Sequence, residues 1–264
     1  MSRRIYAKKS LGQNFLVDKQ IKTKIINNLN LNKDDKIIEV GPGKGALTEM
    51  IYEKVSSLLA IELDDNLYLN LLSKYQSENV NIIKADAKLF KVEDYLENKE
   101  KYKFIGNLPY NVANKIILNF LQSHPKPEFM IVMLQLEVAK RIIGDEKFRG
   151  YLTIMIGIYC KSEILFQVKS TSFKPKPKVT SAVLKLIPYV KPKINSADIN
   201  NFSHFVGKSF ISRRKTILNN ISSGHNISKD EAVEILNQSE INLNLRPQNL
   251  SVDDWVKLYF IYNK

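Results

Sequence analysis

Glu39-Val40-Gly41-Pro42-Gly43-Lys44-Gly45 decides the fold of this chain. An apolar run over 37–40 precedes it and reads as a strand; an amphipathic segment over 46–52 follows and reads as a helix. A Gly-rich turn between strand and helix lets the backbone approach a ligand closely. Outward from this turn the alternation continues. Strands are expected over 58–62, 80–84, 104–107 and 129–135, and helices over 66–72, 112–121 and 137–143. Asp18 is placed to cap a helix reaching about residue 28, with Ile21, Ile25 and Ile26 on one face. This β-α order implies an α/β fold with a parallel sheet covered on both faces.

The pattern changes after Tyr151. Runs over 164–168 and 181–187 read as strands, and antiparallel strands closing an otherwise parallel sheet would fit them. Pro188-Tyr189-Val190-Lys191-Pro192 reads as a linker, because two prolines break regular structure. Helices are expected over 202–220, 229–236 and 252–259. The chain is therefore read as a Rossmann-like domain, 1–188, with an N-terminal segment covering its cofactor, and a small all-α domain, 189–264.

Composition narrows the partners. Forty Lys+Arg stand against 27 Asp+Glu, a formal charge of +13, which favours a polyanion, nucleic acid first. Cys160 is the only cysteine, so no disulfide forms within the chain, and a reducing cytoplasm is expected. His124, His204 and His225 have no zinc-like spacing, and no metal is expected. The basic N-terminal residues lack the apolar core of a signal peptide, and the longest apolar stretches are too short to span a bilayer. No membrane association is expected.

The turn alone is ambiguous. Gly41, Gly43 and Ala46 also satisfy a dinucleotide fingerprint, with Glu62 at about the right distance for a ribose. Three features favour S-adenosylmethionine over a dinucleotide. Glu39, two residues before Gly41, suits an ammonium or a water near a methionine moiety and crowds a pyrophosphate. The glycines fall at alternate positions. Ala85-Asp86-Ala87 follows the next strand, where a carboxylate can accept from an adenine amino group. Glu62 and Asp86 would otherwise be solvated strand ends or helix caps. The candidate cofactor residues are Glu39, Gly41, Gly43, Glu62, Leu63, Asp86 and Ala87, whereas Lys44 reads as a surface charge.

Asn107-Leu108-Pro109-Tyr110 at the next strand end points to the acceptor. The lone pair of an exocyclic base amine is delocalised into its ring. Acceptors that hold its N–H groups out of plane localise that pair toward a methyl donor, and the Asn107 side chain and the Leu108 carbonyl can serve. Pro109 fixes the turn, and Tyr110 can stack on a base removed from its helix. With an electrophilic sulfonium as donor, positioning supplies much of the catalysis.

Three stretches together resemble the ribosomal RNA adenine N6-methyltransferases: Lys9-Ser10-Leu11-Gly12-Gln13-Asn14-Phe15-Leu16, the Glu-Val-Gly-Pro-Gly turn and Asn-Leu-Pro-Tyr. That family includes the KsgA (RsmA) dimethyltransferases of small-subunit (16S) rRNA and the Erm methyltransferases of large-subunit (23S) rRNA. Gln135-x-Glu137-Val138-Ala139-x-Arg141 and Phe173-x-Pro175-x-Pro177-x-Val179-x-Ser181-Ala182-Val183 extend the likeness. Phe210-Ile211-Ser212-Arg213-Arg214-Lys215 and Arg246-Pro247 resemble the KsgA group in particular. The resemblance implies a class I S-adenosylmethionine-dependent methyltransferase, with cofactor contacts at Asn14, Leu16, Gly41, Glu62, Asp86 and Asn107. It implies dimethylation of N6 on two adjacent adenosines in a 3′-terminal hairpin of small-subunit rRNA during subunit biogenesis, with S-adenosylhomocysteine as product. The chain departs from it at Lys169-Ser170-Thr171-Ser172, where the family often has two prolines, and in a short loop over 144–149.

Phe173 is read as packing over the target base. Lys174, Lys176 and Lys178, with Lys208, Arg213, Arg214 and Lys215, are the candidate phosphate contacts. The expected partners are small-subunit rRNA and the immature small subunit, bound by a monomer. The rival readings are an Erm-type enzyme and a non-catalytic RNA-binding assembly factor; intact Glu62, Asp86 and Asn-Leu-Pro-Tyr argue against the second.

Overall fold

Asp18 starts the first helix as its sequence position implies. Its carboxylate accepts from the Gln20 and Ile21 backbone N–H groups at 3.0 and 3.2 Å, capping α1 (Lys19–Asn27) just after the short strand β1 (Phe15–Leu16). A computed structural model describes residues 13–109, 112–144 and 149–263. These form two compact units along the chain, Met1–Ala139 with Ser162–Pro188, and Lys140–Lys161 with Tyr189–Lys264.

In the first unit, β2 (Lys36–Val40) leads through the Gly-rich turn to α2 (Thr48–Ile51), which continues as a 3-10 turn. Then follow β3 (Ser57–Glu62), α3 (Asp65–Lys74), β4 (Val80–Lys84), β5 (Lys103–Asn107), α4 (Ala113–Gln122), β6 (Met130–Gln135) and α5 (Leu136–Ile143), whose residues from Lys140 onward are counted with the second unit. After α6 (Tyr151–Gly157) come β7 (Cys160–Val168), β8 (Phe173–Lys174) and β9 (Ser181–Pro188). The larger sheet runs β4-β3-β2-β5-β6-β9-β7. The pairs β4-β3, β3-β2, β2-β5 and β5-β6 are parallel, and β9 runs antiparallel to β6. The antiparallel closure expected from the sequence is present at β9, with β7 beside it at the sheet edge.

Alternate strand residues feed each face. Ile37, Leu58, Ile105, Ile131, Met133 and Val183 share one core with Ile25 and Ile26 of α1. Phe104 meets Phe120 of α4 edge-on at 4.7 Å. Strand order reverses at β2, which lies between β3 and β5. A crevice therefore opens at the carboxyl ends of β2 and β5, the usual ligand position in such sheets.

The second unit is helical: α6 packs against α7 (Ile199–Ser209) and α10 (Val252–Tyr262), and α8 (Ile217–His225) packs against α7 and α9 (Lys229–Gln238). Trp255 is fully buried and stacks on Phe210 at 5.0 Å. A Cβ at Gly157 would lie 2.6 Å from Val252, so glycine permits the close approach of α6 and α10. This packing groups Lys140–Lys161 with the C-terminal residues, whereas the sequence reads an unbroken first domain to 188. No described helix is long and apolar enough to cross a membrane.

One expected helix is two. The stretch 202–220 breaks between α7 and α8, and Arg213-Arg214-Lys215 forms an exposed turn. The buried Asn220 clasps it. Asn220 Oδ1 accepts from Ser212 N at 2.9 Å, and Nδ2 faces the carbonyls of Ser212, Lys215 and Thr216 at 2.9, 3.2 and 2.9 Å. Thr216 caps α8 through Asn219 N. These side chain-to-backbone bonds give the backbone an alternative to continuing the helix.

Candidate active site

The Gly-rich turn is shaped by positive φ at Gly41, Gly43 and Gly45, +69°, +61° and +80°. A Cβ at Gly41 would sit 3.2 Å from the Asn107 carbonyl oxygen, and one at Gly43 3.2 Å from the Phe15 ring. Only glycine lets β2, β5 and β1 converge here. Gly45 serves a different end: its carbonyl accepts from Tyr75 Oη at 3.1 Å, and a Cβ would strike that ring.

Three acids occupy three settings. Glu39 is 1 % exposed at the tip of β2 and accepts from Thr48 Oγ1 at 2.7 Å. Burial, aided by the Glu62 charge, pushes its carboxyl up to about 7. Glu62, at the end of β3, gathers three backbone donors: Gly43 N at 3.1 Å, and Leu63 N and Asp64 N at 2.9 Å each. Burial raises its pKa against the pull of those bonds. Asp86 follows β4, accepts from Lys88 N at 3.0 Å and pairs with Lys88 Nζ at 3.1 Å.

Three cavities line up along these strand ends. One, about 220 Å³, has Asp86, Ala87 and Lys88 beside the apolar Val40, Ile61, Leu63 and Ile116. The middle one, about 60 Å³, holds Glu62, Asn14, Leu108 and Pro109. The third, about 280 Å³, holds Glu39, Leu16, Lys22 and Lys44. Gly41 lines all three; Gln13 and Pro109 join the first two, and Phe15, Gly43 and Asn107 the last two. An apolar slot with one acid, then a carboxylate, then a buried acid with two cations suits a nucleoside carrying a zwitterionic tail. All ten sequence-derived cofactor candidates, Asn14, Leu16, Glu39, Gly41, Gly43, Glu62, Leu63, Asp86, Ala87 and Asn107, line this row.

Asn107 stands where the middle and third cavities meet. Its Nδ2 donates to the Asn14 carbonyl at 3.1 Å, which turns the planar amide so that Oδ1 is the acceptor. Leu108 N donates to Met133 O at 3.1 Å, and the Pro109 carbonyl accepts from Val112 N and Ala113 N, tying the turn to β6 and α4. Tyr110 and residues 9–12 of the N-terminal motif lie outside the described residues.

Phe173 corrects its expected role. It is 2 % exposed and packs in the core with Leu16, Met133 and Val183, while β8 pairs with β1. A ring buried on both faces presents none to a base. Lys174, Lys176 and Lys178 are exposed on the first unit, and Lys208, Arg213, Arg214 and Lys215 on the second. Arg213 Nη2 donates to the Arg149 carbonyl at 2.8 Å. Sequence reasoning missed Gln13, Phe15, Lys22 and Thr48. Gln13 and Phe15 carried a signal, lying in the N-terminal stretch on which the resemblance rests, whereas Lys22 and Thr48 carried none.

Comparison with known proteins agrees with this geometry. The family model described as ribosomal RNA adenine dimethylase matches residues 5–264. A protein of Ureaplasma urealyticum serovar 10 named ribosomal RNA small subunit methyltransferase A is 38 % identical over 97 % of this chain and 92 % of its own length. The same name belongs to a protein of Dehalococcoides mccartyi, 34 % identical over 98 % of this chain and 89 % of its own. Among solved structures, a dimethyladenosine transferase from Plasmodium falciparum has TM-score 0.76 at 23 % identity, covering 94 % of this chain and 97 % of its own. The 23S rRNA methyltransferase ErmE has TM-score 0.73 at 23 % identity, covering 95 % and 100 %. These two likenesses speak to the fold.

Proposed function

The chain belongs to the ribosomal RNA adenine dimethylase family, and from that membership we propose how its residues carry out the reaction. It is a ribosomal RNA adenine N6,N6-dimethyltransferase of the small subunit, like the relatives it matches. We assign its substrate as two adjacent adenosines in the 3′-terminal hairpin of 16S rRNA, met in an immature subunit in the cytoplasm by a monomeric enzyme. S-adenosylmethionine is the assigned cofactor, and when bound it supplies a methyl group activated by a sulfonium.

The observation that carries this reading is the position of Asn107. Asn107 lines both the Glu62 cavity and the Glu39 cavity, the junction between a ribose site and an amino-acid site. Oδ1 and the Leu108 carbonyl accept from the adenine N6–H groups, hold the amine pyramidal and aim its lone pair. Asn14 holds the amide in register through the 3.1 Å bond, and Pro109 keeps both acceptors on one turn. Glu62 holds the ribose, and Asp86 takes the cofactor's adenine amino group when Lys88 yields. The two basic clusters neutralise phosphates.

Undermethylated small subunits incubated with methyl-labelled S-adenosylmethionine test this. The expected product carries two dimethylated neighbouring adenosines near the 3′ end. Label confined to large-subunit rRNA, or none with folded protein, overturns it.

A further inference from the structure

The third cavity holds charges that the nucleoside end of a cofactor cannot use. We propose that Lys22, supported by Lys44 at the rim, is the counter-charge for the carboxylate of the cofactor's amino-acid tail, so that the enzyme recognises the tail as well as the nucleoside. This rests on the reading of the row as an S-adenosylmethionine site.

The order of the cavities gives the direction. The apolar slot beside Asp86 suits the adenine and the Glu62 cavity the ribose, so the tail falls to the cavity of Glu39, Lys22 and Lys44. That tail is a zwitterion. Glu39 answers its ammonium, and a cation must answer its carboxylate. Among the described residues three cationic side chains line the row. Lys88 is paired with Asp86. Lys22 and Lys44 are in no ion pair among the described residues, and Glu49 on the same wall lies 3.2 Å from Lys74.

The fold fixes both lysines. Lys22 N bonds the Asp18 carbonyl at 3.1 Å in the first turn of α1, while Leu16 and Val17 line the same cavity. The Asp18 carboxylate accepts from two backbone N–H groups and from Ser172 Oγ at 2.9 Å, and it feels the Lys22 charge without forming an ion pair with it. Lys44 Nζ sits 4.8 Å over the Phe15 ring. Lys22 is half-buried and Lys44 exposed, so Lys22 carries the larger share, because solvent screens the more exposed charge.

Calorimetry on the full chain separates the outcomes. The ligands are S-adenosylhomocysteine and its decarboxylated analogue, 5′-deoxy-5′-(3-aminopropylthio)adenosine. Wild type should bind the first about ten-fold more tightly, the low end for a hydrogen bond to a charged group. Lys22→Met should remove that preference by weakening S-adenosylhomocysteine alone, Lys22→Arg should restore most of it, and Lys44→Met should lower it about three-fold. Equal weakening of both ligands, or of neither, in folded Lys22→Met overturns the proposal. So does an unchanged preference accompanied by weaker RNA binding, which would make Lys22 a phosphate contact. Wild type binding neither ligand would sink the cofactor reading itself.

Discussion

Replacing Glu62 by glutamine tests the centre of the site. Glu62 is 6 % exposed, and its carboxylate accepts from Gly43, Leu63 and Asp64 backbone N–H groups at 3.1, 2.9 and 2.9 Å. An ionised carboxylate offers about four acceptor sites, so about one remains for a ribose hydroxyl. A glutamine oxygen can keep Leu63 and Asp64, but its amide nitrogen then confronts the Gly43 N–H, donor against donor. The variant loses one charge-assisted bond inside the turn, about 1.5–3 kcal/mol of stability. It also loses the charged acceptor for the ribose, again about 1.5–3 kcal/mol, or roughly 10- to 150-fold in affinity. Urea unfolding of the ligand-free protein reads the first, and calorimetry with S-adenosylhomocysteine the second. A 2′,3′-dideoxy analogue closes a thermodynamic cycle: wild type should lose affinity for it, and Glu62→Gln should bind both ligands alike. A folded variant that binds S-adenosylhomocysteine within about two-fold of wild type would refute the ribose role.

Three further outcomes are expected. Asn107→Ala should lower methyl transfer by about 10²–10³-fold, the loss typical of one preorganised polar contact, while filter binding of RNA stays near wild type; unchanged turnover would remove the turn from catalysis. The Glu39 carboxyl rises from 4.5 to about 7 on folding, so the folded state holds the proton more tightly. The stability it contributes is complete below pH 4.5 and is lost as pH climbs to about 7. The unfolding free energy of wild type relative to Glu39→Gln should therefore fall by about 3 kcal/mol across that window, and a pH-independent difference in urea melts would contradict it. Asn220→Ala should release the Arg213-Arg214-Lys215 turn, cost about 1–3 kcal/mol of stability and weaken subunit binding with a shallower salt dependence. Cofactor affinity should not move, and unaltered subunit affinity would make the clasp purely structural.

Local patterning announces the β-α alternation, the Gly-rich turn and the three acids at the ends of successive strands. All of these are local: short continuous apolar runs make strands buried on both faces, and a parallel sheet brings their carboxyl ends to one edge whatever the helices do. Asp18 likewise announced α1, because a cap needs only the next three residues. Tertiary structure decided what depends on distant partners. Phe173 looked like a base-stacking ring until the pairing of β1 with β8 buried it. Asn107 gained its orientation from Asn14, 93 residues away. Arg213-Arg214-Lys215 left the helix because Asn220 satisfies the turn's backbone groups, a competition that periodicity does not register. Residues 140–161 joined the C-terminal helices through the close approach at Gly157 and Val252. Lys22, an ordinary helix lysine in sequence, became a cavity wall because β1 and α1 carry it beside Glu39. Propensity and spacing act over a few residues. Burial, side-chain orientation and the company a charge keeps are set when segments far apart in the chain pack together.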